Sequence, residues 1–348
     1  MKKTTILSSL LALALLTACS SDPAPTTTTP DTPPTTSVTP APTPDPVDVP
    51  EADPVDVTVL GMSGPTAMGM VHMMNEVDSG NLTSNNYDFS IVTAIDEVTP
   101  QIVSGGAGIA AVPANVASVL YNNTEGGIQV LAINTLGVLY IVESGDTVTS
   151  IQDLEGKTIF AAGKGGTPEY AINYILEANG LTDSVTIEWK TEQAEVVAAL
   201  AATEGAIGML PQPFATTAQM SNESIRVALD LTEEWNATDS EGMLVTGVVV
   251  ANSAFAAENP DAIADFLKNY ETSVNFVNDN LEEGAALVGQ YGIVPEAVAL
   301  AALPYCSITY IDGAEMETAL TGYLAELFAQ NPASIGGAMP EADFFYGN

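Results

Sequence analysis

The chain has 348 residues, 46% of them hydrophobic, with 44 acidic side chains against 7 basic ones and a net charge of −37 at pH 7. That balance excludes nucleic acid as a partner, because phosphates need a basic face, and it opposes direct docking on anionic lipid. Two cysteines and one histidine leave little material for a metal centre or a thiol mechanism.

At the start, Lys2 and Lys3 precede the apolar run ILSSLLALALL (6–16), which is too short for a permanent membrane span. The residues Leu16-Thr17-Ala18-Cys19 follow, and they resemble a bacterial lipoprotein signal. The resemblance implies a signal peptide over 1–18 and a lipidated Cys19 at the head of the mature chain. Such a chain is held by its lipid at an extracytoplasmic face. The outer face of the plasma membrane is expected, with a periplasm as the alternative. Cys306 then has no partner for an internal disulfide and reads as a small core residue. No second stretch approaches eighteen consecutive apolar residues, so the lipid is the expected membrane attachment.

Residues 19–54 are rich in proline and threonine and lack aromatics. They cannot bury enough apolar surface to fold and read as a tether. In polyproline form, at about 3.1 Å per residue, the tether reaches on the order of 100 Å.

From Val55 onward, short β-rich runs alternate with helical patterns. VDVTVLG (55–61) predicts a strand and residues 65–77 a helix. YDFSIVTA (87–94) predicts the next strand. EVTPQIVSGG intervenes before the strand GIAAVP (108–113) and a helix over 115–121. IQVLAIN (128–134), GVLYIV (137–142) and KTIFAAG (157–163) predict strands, and residues 168–179 a helix stopped by Gly180. The strand VTIEWK (185–190), a helix over 193–203, and the strands GAIGMLP (205–211), IRVALDL (225–231) and MLVTGVVVAN (243–252) follow. The remainder is helical over 260–280, 282–291, 295–303 and 313–330. Strands separated by helices of ten to fifteen residues imply an α/β fold with mainly parallel sheets covered on both faces. Ligands in such folds sit beyond the carboxyl ends of the strands. About 294 residues of folded chain favour two lobes over one core.

Two strand-to-helix corners share a design, Met62-Ser63-Gly64-Pro65-Thr66 and Lys164-Gly165-Gly166-Thr167-Pro168. Glycine permits the turn and proline fits the first turn of the helix. Each helix start offers free N–H groups to a nearby anion; one such corner alone reads first as plain capping, but two of one design on successive α/β units could face each other. Neither corner is a nucleotide loop, since Lys164 precedes the glycines and GMSGPTAMG departs from GxGxxG.

SIQDLEGKTIFAAGKGGTPEYAINYILEANGL (150–181) resembles a signature of ABC-transporter solute-binding proteins of the nitrate, taurine, sulfonate and thiamine-precursor group, the NitT/TauT-like group. GPTAMGMVHMM, GIAAVPANVASVLYN, GMLPQPFATTAQM (208–220) and SIGGAMPEADFFY (334–346) are similar to further segments of that group, in the same order. The resemblance implies a type II periplasmic-binding-protein fold, with residues 55–140 plus 243–348 in one lobe and 141–242 in the other. It implies a small organic solute bound between the lobes (a sulfonate, a pyrimidine-like molecule or a zwitterion) and handed to an ABC permease and its ATPase. A monomer is expected, without a cofactor.

The resemblance also assigns a site. Ser63, Gly64, Thr66 and Ala67 line it from the first lobe, with Pro113 and Asn115 as a second rim and Asn134 and Tyr140 near the crossover. Lys164, Gly166, Thr167 and the loop Pro211-Gln212-Pro213 line it from the second lobe. Lys164 is either a counter-charge for the ligand or a solvated loop residue. Arg226 is expected to end a strand at the surface, and Trp189 and Trp235 to pack the second lobe. Met68, Met70, Met73 and Met74 with His72 read as core packing ahead of a copper site. Two alternatives stand beside transport. One is a surface sensor with the same fold. The other is an enzyme like those that make thiamine pyrimidine, which use a lysine-bound pyridoxal phosphate, a sacrificial histidine and a cysteine-rich iron motif.

Overall fold

The computed structural model describes residues 53–238, 240 and 242–347. The signal peptide, the lipidation at Cys19 and nearly all of the 19–54 tether lie outside the described residues.

The chain first lays down β1 (Asp56–Met62), α1 (Pro65–Met68), α2 (Val71–Asp78), β2 (Asn86–Val92), α3 (Ile95–Ser104), β3 (Ile109–Pro113), α4 (Ala114–Asn123) and β4 (Ile128–Thr135). It then builds β5 (Leu139–Ser144), β6 (Thr158–Ala162), α5 (Thr167–Ala178), β7 (Thr186–Lys190), α6 (Gln193–Ala202), β8 (Ile207–Pro211), α7 (Phe214–Ser221), β9 (Ile225–Asp230) and α8 (Leu231–Asn236). It returns through β10 (Gly247–Asn252), α9 (Ser253–Glu258), α10 (Pro260–Asp279), α11 (Leu281–Gln290), α12 (Glu296–Ala302), β11 (Ile308–Ile311) and α13 (Gly313–Gln330).

These elements form two mixed sheets, a six-stranded one ordered β11-β4-β10-β3-β1-β2 and a five-stranded one ordered β7-β6-β8-β5-β9. β1 pairs parallel with β2 and β3, and β6 with β7 and β8. In the first sheet β10 runs against β3 and β4, and β11 against β4; in the second, β5 runs against β8 and β9. β10 is buried along its whole length, as a central strand covered on both faces must be.

Three apolar layers follow from this arrangement. On one face of the first sheet, α2 and α10 to α12 cover Val57, Val59, Ile109, Ala111 and Val249. Its other face carries Val112, Val130 and Ile133, and that cluster continues through Leu244 and Val245 to Ile159, Ile207 and Leu229 of the second sheet. The outer face of the second sheet packs α6 and α7 over Val142, Ala162 and Leu210. Met68, Met70, Met73 and Met74 are buried in the first of these layers, where unbranched thioethers fill gaps between helices. Cys306 is buried there too, and burial pushes its thiol up to about 12. Trp235 lies wholly buried against Tyr174 and Tyr323, its indole N–H donating to Gly242 O at 2.7 Å, and Trp189 packs half-buried on the central layer. No described helix is long and apolar enough to cross a membrane.

Some elements differ from those predicted. The helix expected over 65–77 is two, divided at Gly69, where Tyr270 and Val274 of α10 stand 3.1 Å from the place of a Cβ. The unassigned stretch after β2 is the helix α3, despite Pro100 within it. The Glu97 carboxylate accepts from the Thr93 and Ala94 N–H groups at its start, and Val98 and Ile102 are buried beneath it. β10 begins at Gly247 and not at 243. Arg226 does not end a strand at the surface. It is half-buried in β9, where it donates to Glu143 Oε2 at 2.8 Å and to Gly145 O at 3.0 Å. Burial alone would raise the Glu143 pKa. Hydrogen bonds from Thr147 and Val148 and the charge of Arg226 outweigh it and hold the carboxyl below its usual value.

Candidate functional site

The strand directions bring two sheet edges together. β1, β2, β3 and β4 all end at one edge of the first sheet, since β10 runs against both β3 and β4. β6, β7, β8 and β9 all end at one edge of the second, and β5 begins there. β4 leaves the first edge at Thr135 and β5 enters the second at Leu139. Three residues, 136–138, separate them, a span of about 14 Å at most. A second crossing returns through α8 and 237–246 to Gly247, at the first edge again. The carboxyl edges of the two sheets therefore face each other across a short joint.

The first crossing is tied at both ends. Leu136 N–H donates to Ser307 O at 3.1 Å, and Val138 O accepts from Gln212 N–H at 2.9 Å. Tyr140 stands just inside the second sheet and donates to Tyr305 O, on the first-lobe side, at 2.9 Å. The helix α13 braces the joint from behind. Tyr323 Oη and Thr167 Oγ1 are 2.9 Å apart, and Gln330 donates to Tyr170 O at 3.0 Å.

The residues assigned from sequence divide into two sets here. Ser63, Gly64, Pro113, Lys164, Gly166 and Pro211 sit at or beside the carboxyl ends of β1, β3, β6 and β8 with surface exposed. Gly64 holds φ at 121° with nothing near the place of a Cβ, so glycine serves the turn there and not close packing. The others are engaged by the fold. Thr66 donates its hydroxyl to Met62 O at 2.7 Å, Ala67 N–H bonds Gly64 O, and Asn134 donates to Thr66 O at 3.0 Å. Asn115 is buried and turned to Ser334 O. Thr167 is turned to Tyr323, so its hydroxyl serves the joint. Gln212 Oε1 accepts from Thr216 N–H and Oγ1, capping α7, while Pro213 follows a cis peptide and is buried.

The helix starts at this edge are not electrostatically alike. At α5, Gly165 N–H is taken by the Glu169 carboxylate at 2.7 Å, so that corner meets its own negative charge. α1, α4 and α7 carry no acidic residue in their first turns. Lys164 is the exposed cation of the α5 corner. Two aromatic residues at the same edge escaped the sequence reading. Phe214 follows Pro213 at the start of α7, and Tyr305 stands beside the crossing, with exposures of 38% and 55%. Pockets are lined largely by apolar and aromatic side chains, so the aromatic directly after the proline-bracketed turn was the available sign of Phe214. α7 and α12 touch, joining the two lobes at this rim. Two further cavities lie elsewhere: about 320 Å³ between α5 and α13, and about 140 Å³ beside His72 on α2 and α10.

Residues 121–283 match the NMT1/THI5-like family model. Among solved structures, an ABC transporter protein of Parabacteroides distasonis is 21% identical, with a TM-score of 0.68 over 84% of this chain and 99% of that one. The periplasmic aliphatic sulphonate binding protein SsuA of Escherichia coli is 16% identical, with a TM-score of 0.66 over 83% and 93%. A Candida albicans protein described as having the generic periplasmic binding protein fold is 12% identical, with a TM-score of 0.53 over 83% and 92%. The fold is that of the periplasmic binding proteins. These findings agree with the resemblance to the NitT/TauT-like group carried by the 150–181 signature. A comparison with curated proteins finds no match.

Proposed function

We propose that this periplasmic-binding-protein fold serves as a lipid-anchored, extracytoplasmic solute receptor. It captures a small organic molecule between its lobes and presents it to the permease and ATPase of an ABC importer. The observation that carries this reading is the meeting of two carboxyl edges across a three-residue crossing. Ser63 and Gly64 contribute from the first lobe and Lys164 and Gly166 from the second, with Pro113 and Pro211 as rims and Phe214 and Tyr305 as apolar walls. A sulfonate fits an edge that carries the exposed Lys164 and acid-free helix starts at α1, α4 and α7. A zwitterion fits the same edge with its positive end toward Glu169. The neighbouring sulphonate-binding protein supports the first choice.

The matched family description keeps a catalytic reading in view. His72 favours binding over catalysis, because its ring lies flat on Phe276 of α10 at 3.8 Å and is engaged in that packing. Cys306 favours it too, because its thiol is buried and protonated.

A thermal-shift screen of the purified protein against alkanesulfonates, aminosulfonates, pyrimidines and amino acids tests the proposal. A ligand at a hundred times Kd stabilises by about 2.7 kcal/mol. Ser63→Ala and Lys164→Ala then each weaken the confirmed ligand severalfold. A confirmed ligand indifferent to both substitutions, or one turned over into product, defeats the proposal.

A further inference from the structure

A threonine stands at each end of the second crossing, Thr232 in the first turn of α8 and Thr246 directly before β10. Their backbone N–H groups are engaged. Thr232 N–H donates to Asp230 Oδ1 at 2.7 Å. Thr246 N–H donates to Thr135 O, and its carbonyl accepts from Ala114 N–H, both at 3.0 Å. Their side chains are not. Oγ1 of each is closed off from solvent and bonds no group among the described residues.

A hydroxyl that loses water without gaining a partner carries the desolvation cost of that loss. Small proteins keep few such groups, and two at one joint call for a reason. The surroundings of Thr232 supply it. A Cβ placed on Gly137, the middle of the first crossing, would lie 2.1 Å from Thr232 Oγ1 and 3.1 Å from Leu244 Cδ2. The two crossings thus press together at Gly137, with the hydroxyl between them. Any turn of one lobe on the other changes the backbone angles at these ends, because hinges concentrate dihedral change in a few residues at element ends.

We infer that Thr232 and Thr246 bias the lobes away from the arrangement described here, because their hydroxyls gain partners once the lobes turn about the crossings. The described arrangement is held by contacts that span the joint: Tyr140 with Tyr305, Thr167 with Tyr323, and α7 with α12. The two hydroxyls work against those contacts, so the joint rests between two populations and a ligand need supply only the difference.

The test reads lobe separation in the full-length protein without ligand, so its outcome is independent of what the edge binds. Spin labels go on Asp88→Cys of β2 and Thr186→Cys of β7, both exposed, in a Cys19→Ser background whose remaining native cysteine, Cys306, is buried. Thr232→Val and Thr246→Val each raise the population at the separation seen here about fivefold or more, the scale of one lost desolvation penalty. Thr232→Ser and Thr246→Ser keep the hydroxyl and the parental distribution. Thr232→Ala and Thr246→Ala remove it without adding a methyl, and they move the population in the same direction as valine. A distribution unchanged by valine and alanine, or shifted away from this separation, overturns the inference.

Discussion

Gly247 has no room for a side chain. A Cβ there would lie 2.5 Å from Thr66 Cγ2 and 2.6 Å from Asn134 Oδ1. Its backbone dihedrals do not demand glycine, so the requirement is close approach alone. The same contact fixes the start of α1, because Asn134 holds Thr66 O while Thr66 holds Met62 O. Gly247→Ala must therefore displace both residues. The expected cost is about 1–3 kcal/mol, the usual price of overpacking, seen as a lower urea midpoint with an unchanged slope. An unchanged midpoint would mean that β10 and α1 are not in register as described. From the sequence, Asn134 and Thr66 were expected to contact ligand, and nothing in a linear pattern separates a polar residue that braces a loop from one that lines a cavity. The corners that carry Ser63, Gly64 and Lys164 were legible as turns after β1 and β6, because glycine-rich corners need special backbone geometry, which leaves a local trace.

The helix α13 does for the whole joint what Asn134 does for one loop. It belongs by sequence to the first lobe, yet Tyr323 and Gln330 on it, with Asn331 at its end, reach Thr167 and Tyr170 of α5 in the second. Tyr323 is fully buried, and burial holds its phenol well above the ordinary value, so it stays a neutral hydroxyl. Tyr323→Phe leaves Thr167 Oγ1 buried and alone, at an expected cost of about 1–3 kcal/mol in denaturant melts. Adding Thr167→Val removes the stranded partner, and the double variant should regain part of that loss. Additive losses would show that the two hydroxyls do not depend on each other. The strands were the most legible elements, since β3, β6 and β10 centre on the apolar runs IAAV, IFAA and VVVA, each closed by Pro, Gly or Asn. α3 hid behind Pro100, which argues against a helix interior, and only its Glu97 cap and Gly105 end pointed the other way. β11 hid because four residues paired at a sheet edge are too few to show a period. The role of α13 was invisible, since packing across a joint is a property of the assembled sheets.

For the molecule as a whole, charge is the least balanced quantity. A net −37 on 348 residues means that carboxylates crowd the surface of both lobes. Two ion pairs occur among the described residues, Lys190 with Glu188 and Arg226 with Glu143, so attraction offsets little of that repulsion. Compact states suffer most, because folding brings the carboxylates closer than they stand in the unfolded chain. Salt shortens the reach of the repulsion from about 30 Å at 0.01 M to about 3 Å at 1 M. The melting temperature should therefore rise with sodium chloride, by about 2–4 °C for each kcal/mol of repulsion relieved. The same screening weakens the exposed Lys190 pair, a loss of about 1 kcal/mol at most. It barely reaches Glu143, whose side chain is fully buried. Relief should therefore exceed loss, and calorimetry from 0.01 to 1 M salt reads the balance directly. A melting temperature that stays flat or falls across that range would mean that unfolding relieves little like-charge repulsion, and that this acidity leaves the stability of the fold nearly untouched.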